Sequence, residues 1–179
     1  MWVLGRRQTW RTVKWFQLFL RRRRNGLVHS PFGVLSQVDG MRGRAVFDAV
    51  AGDTRIFGMV RESRVGVVVG GASVGEVSGE SRIDVVASGG GVDYMLGDAS
   101  VGKVCGRASM MCDRSHVDYV MDGGFVGGVH GDASVDSVAF RGRVKGVYEG
   151  GRVALVDAGG VVEHVLGSAR RLRGFWRSR

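Results

Sequence analysis

A nine-residue periodicity running from residue 38 to residue 165 constrains this chain more than any other feature. Stepping by nine from Val38 lands on Phe47, Ile56, Val65, Val74, Ile83, Val92, Val101 and Met110. With a two-residue deletion placed between Met110 and Val117, the column continues through Val126, Val135, Val144, Val153 and Val162. A second apolar column stands three residues later, from Met41, Val50 and Met59 onward to Val165, and only Asp113 breaks it. Two residues before the first column every position is small, as at Ala45, Thr54, Ser63, Ala72, Ser81, Gly90, Ala99, Ala108 and Ser115. Fifteen apolar residues in one register arise by chance about once in 10⁵ at an apolar fraction of this size, so the repeat is real.

The spacing has a physical reading. The small residue and the first valine are two apart, so on a strand they face the same way. The second valine follows at an odd step, which predicts a bend between the two columns. Asp or Gly often stands just after the first valine (Asp39, Asp48, Gly66, Gly75, Asp84, Asp93, Gly102, Asp118, Gly127, Asp136), as turn residues that tolerate a left-handed backbone would. The expectation is short strand, corner, short strand, glycine corner: an all-β, parallel β-solenoid with about two nonads per turn. Each turn would advance one strand spacing, giving a rod of roughly 35 Å. A helix fits poorly, because the segment is rich in Gly and β-branched residues and holds no 3.6 period. The two inward valine columns and the small column are the predicted core, with an irregularity at 110–117.

The pairing of glycine corners with V-x-x-V strands, as in Gly90-Gly91-Val92-Asp93-Tyr94-Met95, resembles the passenger repeats of bacterial autotransporter adhesins. That resemblance covers residues 38–165 and implies a fold, not an activity. The nonad also resembles the calcium-binding β-roll, whose aspartate segment is echoed by Asp136-Ser137-Val138 and Asp84-Val85-Val86. The chain departs from that pattern elsewhere: its fourth glycine is matched only by Gly91, and the aspartate is missing from more than half the repeats.

Segments with a catalytic look are accounted for by the repeat. Gly97 to Val104 is one residue short of a phosphate-binding loop, because Val104 stands where a Ser or Thr would hold Mg²⁺. Gly70 to Gly75 resembles a dinucleotide loop but sits in register, with no helical pattern after it. His29, His116, His130 and His164 share no metal-ligand spacing, and the last three occupy different repeat columns. Cys105 and Cys112 form neither a CxxC pair nor a disulfide framework. No catalytic residue, metal or cofactor is assigned, and the reading is of a protein that is not an enzyme.

Charge is segregated. Residues 1–30 carry Arg6, Arg7, Arg11, Lys14, Arg21, Arg22, Arg23 and Arg24 with no acid, and residues 168–179 carry Arg170, Arg171, Arg173, Arg177 and Arg179 with none. The other half of the 26 basic residues faces all 17 acids, so a mildly acidic body sits between two basic segments. Trp2, Trp10, Trp15 and Trp176, the only tryptophans, lie in those segments as well. The organisation expected is a basic aromatic arm over 1–33, partly helical across 8–24, then a solenoid domain over 34–167 and a basic tail over 168–179. Guanidinium with interleaved aromatics suits RNA, through phosphate contacts and base stacking, with Trp10 and Trp15 as the stacking residues. The same composition suits an anionic membrane surface, a mitochondrial presequence, or a cap on the open end of the solenoid.

The favoured residues Val, Gly, Asp, Arg, Trp and Met share codons rich in G and T. That fits a strand-biased organellar genome, and an expanded minisatellite fits too. A secretory signal would place a small-residue cleavage site after the apolar run Trp15–Leu20; four arginines follow instead. No apolar run reaches transmembrane length. The functional expectation is an intracellular, mitochondrial scaffold whose tails bind RNA among neighbouring proteins, as in an organellar ribosome. Its alternatives are a self-assembling or surface-exposed adhesin-like solenoid and a membrane-surface scaffold.

Overall fold

From residue 64 to residue 165 each repeat folds into one five-residue strand and one tight turn, and successive repeats alternate between two sheets. A computed structural model describes residues 27–29, 36–157, 159–167 and 170–171. Its strands begin with β1 (Leu27–His29), β2 (Ser36–Val38), β3 (Met41–Arg42), β4 (Val46–Ala51), β5 (Thr54–Val60) and β6 (Arg64–Val68). The middle comprises β7 (Ser73–Val77), β8 (Arg82–Val86), β9 (Gly91–Met95), β10 (Ser100–Val104), β11 (Arg107–Met111) and β12 (His116–Val120). The last six are β13 (Phe125–Val129), β14 (Ser134–Val138), β15 (Arg143–Val147), β16 (Arg152–Val156), β17 (Val161–Val165) and β18 (Arg170–Arg171).

One sheet runs β1-β4-β6-β8-β10-β12-β14-β16-β18, and the other runs from β17 through the odd strands to β5 and β2, with β3 also on β5. Pairing is parallel, and partners such as Val65 and Ile83 or Val74 and Val92 are eighteen residues apart. The chain is therefore a parallel β-solenoid of about seven turns with two nonads per turn. No helix occurs among the described residues, and the helix expected over 8–24 lies outside them. The even-strand sheet also takes in Leu27–His29, paired with Ala49–Ala51, and Arg170–Arg171, paired with Arg152 and Val153.

The two valine columns stack inward, as their spacing predicts. Val65, Ile83, Val101, Val117 and Val135 form one fully buried row, and Val68, Val86, Val104, Val120 and Val138 form the next. Each such side chain contributes about 1.5–3 kcal/mol on leaving water. The small column is interior too: Thr54, Ser63, Ala72, Ser81, Ala99, Ser115 and Ala133 are all buried at the turns. Thr54 Oγ1 donates to the Ala51 carbonyl at 2.8 Å, and the Ser63 and Ser81 hydroxyls meet at 3.1 Å.

Three details correct the sequence reading. The deletion lies earlier than 110–117. Only Cys105 and Gly106 separate β10 from β11, where the turns after β6, β8, β12, β14 and β16 use four residues, so Ser100 pairs with His116 at sixteen residues. Ala108 therefore fills the first column and Met111 the second, both fully buried, while Met110 is 38% exposed on the outer face. Gly106 takes the small position read for Ala108, and Asp113 sits in a turn with φ 58°.

Second, no corner divides the strand between the valines. The strand is continuous, but the ladder passes over its third residue, as at Gly66 and Asp84 between β6 and β8. Third, none of the Asp or Gly residues at that position has positive φ; those residues sit in the turns, at Gly70, Gly79, Gly89, Gly97 and Gly131 among others. Turns such as Ala87–Gly90 and Met121–Gly124 close with a backbone hydrogen bond of 2.9 Å. Phe140 and Arg141 occupy the centre of one turn at φ 46° and 67°, where Asn or Asp followed by Gly is the usual choice.

Candidate functional site

With both valines turned inward, the first, third and fourth residues of each strand face outward. On the even-strand sheet this stacks first-position residues Arg64, Arg82, Ser100, His116, Ser134 and Arg152 beside third-position residues Asp84, Gly102, Asp118 and Asp136. The first pattern in this array is an arginine–aspartate ladder: Arg64 Nη2 and Arg82 Nε hold Asp84 at 2.8 and 3.0 Å. Burial alone would raise the Asp84 pKa. The hydrogen bonds from Arg64 and Arg82 outweigh that effect, and the net shift is downward.

Two coils on, the array changes character. His116 replaces arginine, and its Nε2 stands 3.0 Å from Asp118 Oδ1 and 3.4 Å from Asp136 Oδ2. On the other side of the ring, Nδ1 lies 2.8 Å from Ser134 Oγ. The backbone holds these groups firmly, because His116 pairs with Ser134 and Val117 with Val135 in the ladder. The imidazole nitrogen and the two carboxylate oxygens all lie within 4.8 Å of one another, a separation at which they could share one metal ion. His116 and Asp118 are one-third exposed and Asp136 is 60% exposed, so the group opens to solvent.

A hydroxyl, an imidazole and a carboxylate in line also outline a nucleophile, a base and its orienting acid. Acyl transfer further needs donors for the developing oxyanion. The nearest backbone N–H groups are already spent in the coil, Ser134 N–H on the Ser115 carbonyl at 3.0 Å and His116 N–H on the Ala99 carbonyl at 2.9 Å.

Other sequence candidates are placed differently. His130 stacks on Tyr148 at 4.1 Å between ring centroids, and His164 lies exposed on β17. Lys103, in the segment resembling a phosphate loop, lies on β10 and pairs with Asp122 at 3.1 Å. Cys105 and Cys112 are free thiols, and burial pushes both pKa values up. Two open depressions border the turns, one lined by Asp122, Gly123, Phe140 and Arg141, the other by His130, Tyr148, Glu149, Leu166 and Gly167. The proposed RNA contacts Arg6, Arg7, Trp10, Arg11, Lys14, Trp15, Arg21, Arg22, Arg23, Arg24, Arg173 and Arg177 lie outside the described residues. Of Arg170 and Arg171 only the strand pairing is described.

The histidine–aspartate group was missed from sequence, although one signal carries it. Asp118 and Asp136 are eighteen residues apart, one full turn, and His116 is two residues before Asp118 on the same face.

The fold and this surface define a parallel β-solenoid repeat protein. Comparison with protein-family models, with curated proteins and with solved structures finds no match to the chain.

Proposed function

We propose that the protein is a non-enzymatic scaffold, a stiff solenoid rod whose basic ends bind RNA within a larger ribonucleoprotein, such as that of an organelle. The observation that carries this reading is the concentration of basic residues in two acid-free segments at the ends of the sequence. Within the solenoid, seven of the thirteen basic residues, Arg44, Arg55, Arg64, Arg82, Lys103, Arg114 and Arg143, pair with acids. The acid-free segments 1–30 and 168–179 have no such partners within their own sequence. Phosphate contacts of this kind release counterions, so affinity falls with salt by a slope of about −0.7 per contact on single strands. The test is RNA affinity against salt for the full chain and for a variant with Arg21, Arg22, Arg23 and Arg24 replaced by Gln. The variant should bind more weakly and with a shallower salt slope. Equal binding by both, or none by either, ends the reading.

A second reading, end-to-end self-assembly, draws on the last coil. Val165 is 46% exposed there, whereas its counterparts Met59, Val77, Met95, Met111 and Val129 are fully buried. Sedimentation that rises with concentration, and falls back on Val165→Asp, would favour it over RNA binding.

A further inference from the structure

We propose that His116, Asp118 and Asp136 form a binding site for a first-row divalent metal ion of the zinc class. The separations fit. Ligands held about 2.0–2.2 Å from a tetrahedral Zn²⁺ stand about 3.4 Å apart. The His116 Nε2 to Asp118 and Asp136 distances, 3.0 and 3.4 Å, match two edges of such a polyhedron. Three protein donors with a solvent-facing side leave room for water to complete the coordination.

The orientation of the ring supports the same assignment. In the tautomer whose Nδ1–H donates to Ser134 Oγ, the lone pair of Nε2 faces two carboxylate oxygens. A cation shared by the three groups would turn that tautomer's lone pair–carboxylate repulsion into coordination. Metal-binding histidines characteristically tie down their other ring nitrogen in this way, which fixes the tautomer that presents a free lone pair. Ser134 is thus a positioning residue.

Charge supplies an independent argument. Asp84, Asp93, Asp98 and Asp122 each pair with an arginine or lysine. Among the described residues, no arginine or lysine lies within ion-pair distance of Asp118 or Asp136; their shared partner is the imidazole of His116. Two carboxylates and a neutral imidazole carry the charge that a divalent ion neutralises. The nitrogen donor selects against Ca²⁺ and Mg²⁺, which take oxygen ligands, and favours zinc or its neighbours.

The experiment uses the full chain, stripped with a chelator and titrated calorimetrically with Zn²⁺, with Co²⁺ as a spectroscopic stand-in. One equivalent should bind at this site. His116→Gln and Asp136→Asn should each weaken binding at least tenfold, and Ser134→Ala by about 10–100-fold, as loss of an orienting contact does. Bound Co²⁺ should lack the thiolate charge-transfer absorption that Cys105 or Cys112 would give. Should a variant lose its far-UV circular dichroism, the ¹⁵N resonance of His116 Nε2 in the unaltered chain answers the same question by shifting on Zn²⁺ addition. Absence of saturable binding, binding indifferent to these substitutions, a static Nε2 resonance, or preference for Ca²⁺ over Zn²⁺ would each overturn the site and leave His116 as a simple ion-pair partner.

Discussion

Met110 and Met111 are neighbours of identical chemistry, and the phase of the whole second half of the coil depends on which of them points inward. Met111 is fully buried in the second column of β11, stacked between Met95 of the previous coil and Val129 of the next. The first-column residue of the same strand is Ala108, already small, so nothing nearby can swell to fill a gap. Truncating a buried Met to Ala costs about 2–5 kcal/mol, and the lack of relaxation at this position places Met111→Ala at about 3 kcal/mol. Met110 is 38% exposed, and Met110→Ala should stay within about 0.5 kcal/mol. The assay is urea denaturation followed by circular dichroism at 222 nm, wavelength and slope held common to all variants. With a slope of about 2 kcal/mol/M, Met111→Ala should lower the midpoint by about 1.5 M and Met110→Ala by no more than about 0.3 M. Equal shifts, or a larger one for Met110→Ala, would refute the register and return the deletion to 110–117.

Other consequences are as direct. A Cβ at Gly106 would stand 2.3 Å from the Gly90 carbonyl oxygen and 2.4 Å from that of Ala87, so Gly106→Ala must displace backbone and should cost at least ~2 kcal/mol. At Gly123 the same change meets open space and only a φ of 81°, which should hold its cost near 1 kcal/mol in parallel melts. Ser115 Oγ is buried without a hydrogen-bond partner, so Ser115→Ala should raise stability by about 1 kcal/mol, whereas Ser81→Ala, which loses a bond to the Arg61 carbonyl, should lower it by a similar amount. A fall in stability for Ser115→Ala would show that the hydroxyl is satisfied. Replacing Phe140 and Arg141 by Asn and Gly relieves two left-handed residues and should raise the melting temperature; a lower one would assign these side chains a packing role. Asp84 contributes stability that is present above the ordinary carboxylate pKa near 3.9 and lost as pH falls through its lowered folded value. Asp84→Asn should therefore flatten the acid limb of stability against pH, and an unchanged limb would refute the coupling.

Much of the fold was legible because its information is repeated. Val65, Ile83, Val101, Val117 and Val135 state the same inward position five times, and β-branched side chains with glycine turns leave little besides a coil. The phase at the deletion was not legible, because Met110 and Met111, and likewise Gly106 and Ala108, satisfy the same apolar or small rule. The bend within each strand was misread as a corner because Asp and Gly favour both, and only the ladder distinguishes them. The His116 group stayed hidden for a different reason. Its members are neighbours only across one turn, so they come together once eighteen residues per coil is established, and a search for spacing among histidines alone passes over them.

The two-residue turn at Cys105–Gly106 has a wider consequence. Upstream and downstream of it partners are eighteen residues apart, as Val65 is from Ile83 and Ala108 from Val126, yet across it Val101 meets Val117 at sixteen. The lost residues are absorbed in a single turn, and the mismatch is not passed on. A chain of this kind keeps its place by contact rather than by count, much as a zipper recovers after a missing tooth. Length errors at turns are thereby corrected locally, which lets the coil lose residues at one joint while its outer faces stay aligned, the His116 group among them.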